Sequence, residues 1–229
     1  TVLGSVVDYI KSRAGTREYD CVVGLSGGVD SSYVAWLAVK EGLRPLAVHL
    51  DNGWNSDLAV TNIHYIVDKL GIDLHTHVID WEEFKDIQLS FFKASVVDIE
   101  LVTDHAIVAC LYQTAAKFGI PTILTGHNQA SEGILPNAWV TDKNDWLNIR
   151  AIQRRFGTRP IKTFPHLGIA RYVWYRMVRR IEPLAPLDAV DYNRAEAMAM
   201  LRDELGWRPY SGKHHESFFT KFYQSWILP

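Results

Sequence analysis

Short apolar segments alternate along the first half of the chain with longer segments whose apolar residues recur every three or four positions. This pattern predicts strands at 19–25, 45–50, 74–79 and 121–125. Between them it predicts helices at 32–41, 56–70, 81–95 and 103–118. Strands and helices that alternate in this way are typical of an α/β fold with an open, doubly wound parallel sheet.

The regular alternation weakens after Glu132. Residues 133–167 are rich in tryptophan and proline and are interpreted as an insertion that covers a substrate, with a helix at 145–156. A basic, aromatic helix at 169–180 and a further helix at 192–205 follow. We therefore expect one domain, with its core in residues 1–132 and a mostly helical C-terminal elaboration in residues 133–229.

Composition narrows the class of protein. The 229 residues are 48% hydrophobic and 22% charged, with a formal net charge of -2, so no overall attraction to nucleic acid is expected. No apolar run is long enough for membrane insertion. The two cysteines, Cys21 and Cys110, lie in apolar patterns, which favours a reducing, cytoplasmic setting. Since the chain starts at Thr1, we expect it to be part of a longer polypeptide.

The first predicted strand runs into a turn with the sequence Ser-Gly-Gly-Val-Asp-Ser-Ser, residues 26–32. A glycine pair between a strand and a helix start leaves backbone N–H groups free at the positive end of the helix dipole, which suits phosphate. A Walker loop is disfavoured because no lysine follows the glycines, and the spacing of Gly24, Gly27 and Gly28 does not fit a dinucleotide fingerprint. A tight turn that binds nothing remains the alternative.

Two further polar clusters, at 51–56 and 126–132, follow predicted strands. The carboxyl ends of parallel strands share one edge of a sheet, where ligands bind. We therefore expect both clusters to lie beside the glycine turn. Capping by Asn55 and Ser56, and packing by Trp54, are the alternatives for the first cluster.

The segment from Ser26 to Ser32 resembles the SGGxDS signature of the PP-loop ATP pyrophosphatases. The resemblance implies that ATP and Mg²⁺ are used, that ATP is split between its α and β phosphates, and that the turn holds the pyrophosphate. It also implies that Asp30 is a direct or water-mediated ligand of the metal. The residues assigned to the nucleotide are Ser26, Gly27, Gly28, Val29, Asp30, Ser31, Ser32, Asp51, Gly126 and Asn128.

Three further segments resemble one branch of that superfamily, the N-acetyl sugar amidotransferases of surface-polysaccharide biosynthesis. They are GWNS with Asn62 and Ile63, TDHAIVACLYQTAAKFGI at 103–120, and GKHHES at 212–217. The resemblance covers nearly the whole chain. The cysteine-rich N-terminal segment and the C-terminal tail of that family are absent from this sequence.

The narrower resemblance implies that an N-acetyl group of a UDP-sugar, a lipopolysaccharide precursor, becomes an acetamidino group. Ammonia would come from a partner glutaminase of the histidine-biosynthesis type with its synthase-like subunit; a homodimer is left open. The implied catalytic residues are Asp30, Glu132, Lys213 and His215. The implied substrate contacts are Trp54, Asn55, Asp104, His105, His127, Glu132, His214 and Glu216. A sugar-nucleotide diphosphate is expected near Arg171, Arg176, Arg179 and Arg180; the alternative is that several of these arginines only face solvent on a helix.

Two alternative functions stay open. The first is another AMP-forming reaction of the superfamily, such as NAD or GMP synthesis or tRNA modification; thiolation is disfavoured because no cysteine lies near the three polar clusters. The second is a nucleotide-binding regulatory module without catalysis, which would bind ATP and release no pyrophosphate.

Overall fold

A computed structural model describes residues 2–126, 143–210, 212 and 216–227. Its five strands are all parallel and lie in the order β3-β2-β1-β4-β5. The open parallel α/β sheet predicted from the sequence is confirmed. The strands are β1 Cys21–Gly24, β2 Pro45–Asp51, β3 Asp73–Val78, β4 Thr122–Leu124 and β5 Glu182–Leu184.

Helices connect the strands and cover the sheet. Two of them, α7 and α9, continue without a break as π-helical turns at Trp174–Val178 and Tyr223–Ile227, and a short 3₁₀ turn spans Pro186–Ala189. The helices are α1 Val2–Ala14, α2 Val29–Lys40, α3 Asp57–Leu70, α4 Trp81–Ala94, α5 Leu101–Phe118, α6 Trp146–Phe156, α7 Ile169–Val173, α8 Arg194–Leu205 and α9 Phe218–Phe222.

The hydrophobic core forms two clusters, as expected of a doubly wound sheet. Residues of α4, α5 and α6 make up much of one cluster, including Phe84, Phe91 and Ile149. Residues of α1, α2, α3 and α8 make up much of the other, including Ile66 and Leu201. Because β1 lies in the middle of the sheet, the turn after it begins from a rigid base.

The elements that were not predicted from the sequence include one helix and one strand. Helix α1 precedes the first strand, and its Val7, Ile10 and Ala14 are buried. Strand β5 has three residues and contains a proline, which weakens its sequence signal. Helix α2 also begins at Val29, three residues earlier than the predicted start at Ser32.

Two buried carboxylates on α4 hold the segment after α6. Glu83 accepts backbone N–H groups of residues 162, 163 and 164 at 2.7 to 3.0 Å. Asp86 accepts the Thr158 N–H at 2.9 Å, the Thr158 hydroxyl at 2.7 Å and the Gln153 amide at 2.6 Å. Burial opposes the charge, but these hydrogen bonds lower the pKa of Asp86 to about 2. The segment is therefore tied to the sheet layer by charge-assisted hydrogen bonds.

Within the described part of the chain, every helix is too short or too polar to cross a membrane.

Candidate nucleotide-binding site

The turn after β1 has a backbone shape that only glycine accommodates at its second position. Gly27 has φ +81, and a Cβ there would lie 2.7 Å from the Ala59 carbonyl oxygen in the first turn of α3. The Gly27 carbonyl accepts the Trp207 indole N–H and the Tyr210 hydroxyl, both at 2.9 Å. The turn is therefore packed against α3 on one side and anchored by the segment after α8.

Asn62, a fully buried residue of α3, fixes that anchoring segment. Its amide nitrogen donates to the Arg208 carbonyl at 2.9 Å and to the Tyr210 hydroxyl at 3.2 Å, and its oxygen accepts the Arg208 N–H at 2.8 Å. Asn62, part of the motif seen in the sequence, thus supports the turn indirectly, through Tyr210.

Hydroxyl groups line the inside of the turn. The Oγ atoms of Ser26 and Ser31 lie 3.1 Å apart, and Ser26 Oγ accepts the Gly28 N–H at 3.3 Å. The Ser32 hydroxyl is buried and donates to the Gly28 carbonyl at 2.6 Å. The Ser31 hydroxyl donates to the same carbonyl at 3.2 Å. Ser26 is exposed and Ser31 partly exposed, so both hydroxyls are accessible to a ligand, whereas Ser32 closes the first turn of α2.

The amino end of α2 fits an anion. Its N-cap is Gly28, which makes no side-chain capping bond, and the first N–H groups of a helix have no acceptor within the helix. Gly126, which follows β4, approaches this end so closely that a Cβ there would lie 3.4 Å from the Ser31 nitrogen. A carboxylate already stands beside the turn, since a Cβ on Gly28 would lie 3.3 Å from Glu216 Oε1. The N–H groups at the start of α2 suit the polyphosphate of ATP, whereas the Glu216 carboxylate opposes an anion there.

Asp30, in the first turn of α2, contacts two residues at the start of α8. Tyr192 donates a short hydrogen bond to its Oδ1, and Arg194 forms an ion pair with its Oδ2 at 3.0 Å. Burial and this hydrogen bond raise the pKa of Tyr192 above its ordinary value. The carboxylate remains about one-third exposed. Its exposed part leaves room for a cation, and the role of Asp30 as a metal ligand stays a prediction.

The turn after β2 lies next to the first turn, as predicted. Asp51 accepts the Gly53 N–H at 3.0 Å and the Asn55 amide at 3.3 Å. His49, for which the sequence indicated no role, accepts the Asn55 amide at its Nε2 at 3.2 Å and donates from Nδ1 to the Leu25 carbonyl at 2.9 Å. Burial lowers the pKa of His49, which keeps the ring neutral and able to orient Asn55.

The C-terminal segment returns to this turn. Ser56 N–H donates to the Glu216 carbonyl at 2.9 Å, and Phe218 N–H donates to the Trp54 carbonyl at 2.8 Å. Asn55 and Ser217 form an antiparallel bridge between these bonds. Two segments more than 150 residues apart in sequence are thus joined beside the glycine turn.

Other predicted site residues take structural roles. The Trp54 indole packs against Trp81 and Phe219 and donates to Gln88, as its packing alternative predicted. His105 has no exposed surface; its Nδ1 contacts the Lys143 carbonyl and its Nε2 accepts the Leu167 N–H. Packing therefore replaces the substrate contact predicted for His105.

Asp104 is also occupied, because it forms an ion pair with Lys143 at 2.8 Å, and Asp98 pairs with the same lysine at 2.7 Å. The predicted substrate contact of Asp104 would have to compete with this ion pair.

The expected diphosphate contacts of three arginines are corrected. Arg176 donates to the Ile181 carbonyl, Arg179 donates to the Ala116 carbonyl, and the Arg180 carbonyl accepts from Arg13. Ile181 directly precedes β5, Ala116 lies near the end of the helix that leads into β4, and Arg13 lies at the end of α1. The three arginines therefore lie at the amino edge of the sheet, opposite the glycine turn. Six predicted residues lie outside the described residues: His127, Asn128, Glu132, Lys213, His214 and His215.

Comparison with known proteins places this arrangement in a class. Residues 2–136, more than half of the chain, match the family model described as NAD synthase. A parallel α/β sheet with an SGGVDSS turn after its central strand defines a PP-loop ATP pyrophosphatase. Within that superfamily the chain belongs to the NAD synthase family.

One curated relative and two solved structures are 18% to 31% identical to this chain. The tRNA-specific 2-thiouridylase MnmA of Escherichia coli K12 is 31% identical over 121 residues, which cover 46% of this chain and 33% of the relative. The match thus spans about a third of the length of that curated relative. The NH3-dependent NAD synthetase of Campylobacter jejuni is 18% identical, with a TM-score of 0.46, covering 67% of this chain and 71% of that one. The NMN synthetase of Francisella tularensis is 18% identical, with a TM-score of 0.46, covering 92% and 87%.

Proposed function

We propose that the protein is an enzyme that splits ATP into AMP and pyrophosphate in order to activate a substrate oxygen for attack by a nitrogen nucleophile. The observation that carries this proposal is the amino end of α2. It has no side-chain cap, it follows the carboxyl end of the central strand, and the hydroxyls of Ser26 in the turn and Ser31 in the helix lie 3.1 Å apart beside it. The family match to NAD synthase supports the same class of reaction.

The residues of the site divide the work. The N–H groups at the start of α2 and the hydroxyls of Ser26 and Ser31 would bind the β and γ phosphates, which leave as pyrophosphate. Asp30 would hold Mg²⁺, which neutralises phosphate charge when bound. Gly126 lies against the start of α2, and β2 and β4 flank β1 on its two sides, so a nucleotide would lie between the turns that follow these two strands. Such a site acts chiefly by positioning and by charge stabilisation.

The bond changes are those of adenylation followed by displacement. An oxygen of the acceptor attacks the α phosphorus, and pyrophosphate leaves with the bonding electrons. Ammonia then adds to the acceptor carbon, gives up a proton, and expels AMP. Both steps fit an NAD synthase family member, and the related C. jejuni synthetase is described as NH3-dependent.

Two molecules are candidates for the acceptor whose oxygen is adenylated. The family match favours the carboxylate precursor of NAD. An N-acetyl group of a UDP-sugar in surface-polysaccharide biosynthesis is the second candidate. Its support is the resemblance of the GWNS and GKHHES sequences to sugar amidotransferases; Asn55 of the first and Ser217 of the second form an antiparallel bridge.

Sulfur transfer has less support, although MnmA is a relative. Cys21 has no exposed surface and Cys110 has almost none. Burial raises the pKa of both thiols, so neither forms a thiolate readily. We propose that ammonia comes from a glutaminase partner, as the resemblance to sugar amidotransferases implies, and that the reaction takes place in the cytoplasm.

The test supplies the full-length protein with ATP, Mg²⁺ and ammonium, and with either the carboxylate precursor of NAD or a panel of UDP-linked acetamido sugars. Pyrophosphate is measured together with the mass of the acceptor. Pyrophosphate release that depends on one acceptor, with replacement of one oxygen by nitrogen, supports the proposal and identifies the substrate. Formation of ADP and phosphate would refute it.

A further inference from the structure

The start of α8 makes a contact that the resemblance to PP-loop enzymes did not predict. Tyr192 and Arg194 each bind one carboxylate oxygen of Asp30, from a part of the chain more than 160 residues away. Asp30 is the residue to which the proposed function assigns Mg²⁺. Its orientation in the turn therefore depends on α8 as well as on α2.

The two helices are joined firmly enough to fix that orientation. Ala197, Leu201 and Leu205 of α8 are buried in the same core cluster as Val34 and Ala38 of α2. On the surface, the Trp36 indole of α2 donates to Glu204 of α8 at 3.0 Å. Rigid packing along both helices allows α8 to act as a fixed support for Asp30.

The residues that contact Asp30 are themselves held in place. The Asn193 side chain caps α8 by accepting the Ala195 N–H at 2.9 Å, which sets the backbone between Tyr192 and Arg194. The Tyr192 ring packs against Tyr33 of α2 with a centroid distance of 5.3 Å. The hydroxyl is therefore presented to Asp30 in one position.

The remaining capacity of Asp30 suits a cation. An ionised carboxylate accepts about four hydrogen bonds or ligand contacts, and Tyr192 and Arg194 use two of them. About one-third of its side chain is exposed. A carboxylate fixed by hydrogen bonds from a second layer of residues binds a metal better than a freely rotating one.

From this geometry we infer that Tyr192 is a positioning residue for the cation that accompanies ATP: it fixes the Asp30 carboxylate in the orientation that binds the metal, and Arg194 supports it. The inference rests on the proposed function. Tyr192 would touch neither ATP nor the metal and would act through Asp30.

The experiment measures binding of α,β-methylene ATP, which resists cleavage between its α and β phosphates, to the full-length protein by calorimetry, with and without Mg²⁺. For Tyr192→Phe we expect affinity to fall about tenfold with Mg²⁺, since a hydrogen bond to a charged group is lost, and to change little without it. Tyr33→Phe is the matched control, because its ring packs against Tyr192 and no hydrogen bond joins it to Asp30 in the described structure. We expect that control to bind as the wild type does.

A double-mutant cycle shows whether Tyr192 acts through Asp30. In the Asp30→Asn background, Tyr192→Phe should cause no further loss of Mg²⁺-dependent affinity. An equal loss with and without Mg²⁺, or a full loss in the Asp30→Asn background, would overturn the inference and leave the proposed function standing. Failure of the wild type to bind the nucleotide at all would overturn both.

Discussion

Replacement of Gly27 by alanine tests the geometry of the glycine turn. At φ +81 an L-residue is strained by roughly 1–2 kcal/mol. The new methyl group would also lie 2.7 Å from the Ala59 carbonyl oxygen, a contact that the packed first turn of α3 cannot easily relieve. Forcing a methyl group into such a site costs about 1–3 kcal/mol. The free energy of unfolding should therefore fall by roughly 2–5 kcal/mol.

Gly71→Ala is the matched control, since Gly71 ends the same helix, α3. Its φ is +62, and a Cβ there would meet nothing within 4 Å. Only the backbone strain remains, so the expected loss is about 1–2 kcal/mol. Urea unfolding followed by tryptophan fluorescence measures both variants. Equal losses would show that Gly27 does not contact α3 as described.

The same pair of variants separates stability from function. Gly27→Ala should move the turn and the Gly28 cap, and weaken binding of α,β-methylene ATP by at least tenfold, or about 1.4 kcal/mol. Gly71→Ala should leave that affinity unchanged, because it lies at the far end of α3. Retention of full affinity in a folded Gly27→Ala protein would refute the assignment of the turn as the phosphate site.

Three further predictions concern residues around the site. The pKa of Asp86 is lowered to about 2, whereas in the unfolded chain it is near 4. The ionised carboxylate therefore stabilises the fold by about 2 kcal/mol above pH 4, and this contribution is lost as the pH falls from 4 towards 2. Acid unfolding of Asp86→Asn should accordingly show a weaker pH dependence over that range. Asn62→Ala should destabilise the protein by about 2–3 kcal/mol, measured by urea unfolding, because the Arg208 N–H loses its acceptor; a change below about 0.5 kcal/mol would contradict this. Lys213→Ala should lower ATP turnover more than stability, and an unfolded variant would instead make Lys213 a structural residue.

Much of the fold could be predicted from the sequence because its central strands have a clear hydrophobic pattern. The strands Cys21–Gly24 and Pro45–Asp51 are short, mostly apolar and buried, and each is followed by a turn rich in glycine or polar residues. The order of the strands in the sheet needed the structure, since β1 pairs with β4 across nearly 100 residues of sequence. Strand β5 was not predicted because three residues that include a proline give no periodic hydrophobic pattern.

The candidate site was predictable from the glycine turn itself and from the rule that turns after parallel strands share one edge of the sheet. The SGGVDSS turn carries its own glycine and serine signal. No local pattern indicates that Trp207 and Tyr210 bind the Gly27 carbonyl, or that Tyr192 and Arg194 bind Asp30, because such contacts arise only when α8 packs on α2. For the same reason, a histidine near a helix start gave no sign that His105 would be buried between Trp146 and Phe164.

The central claim is cleavage of ATP between its α and β phosphates at the turn after β1. The most direct measurement follows ATP labelled at the γ phosphate with the full-length protein, Mg²⁺, ammonium and each acceptor, and identifies the labelled product. The account predicts labelled pyrophosphate in equal amount to AMP, and its loss in folded Ser26→Ala and Asp30→Asn variants. Labelled orthophosphate with ADP, or undiminished pyrophosphate release by both variants, would contradict it.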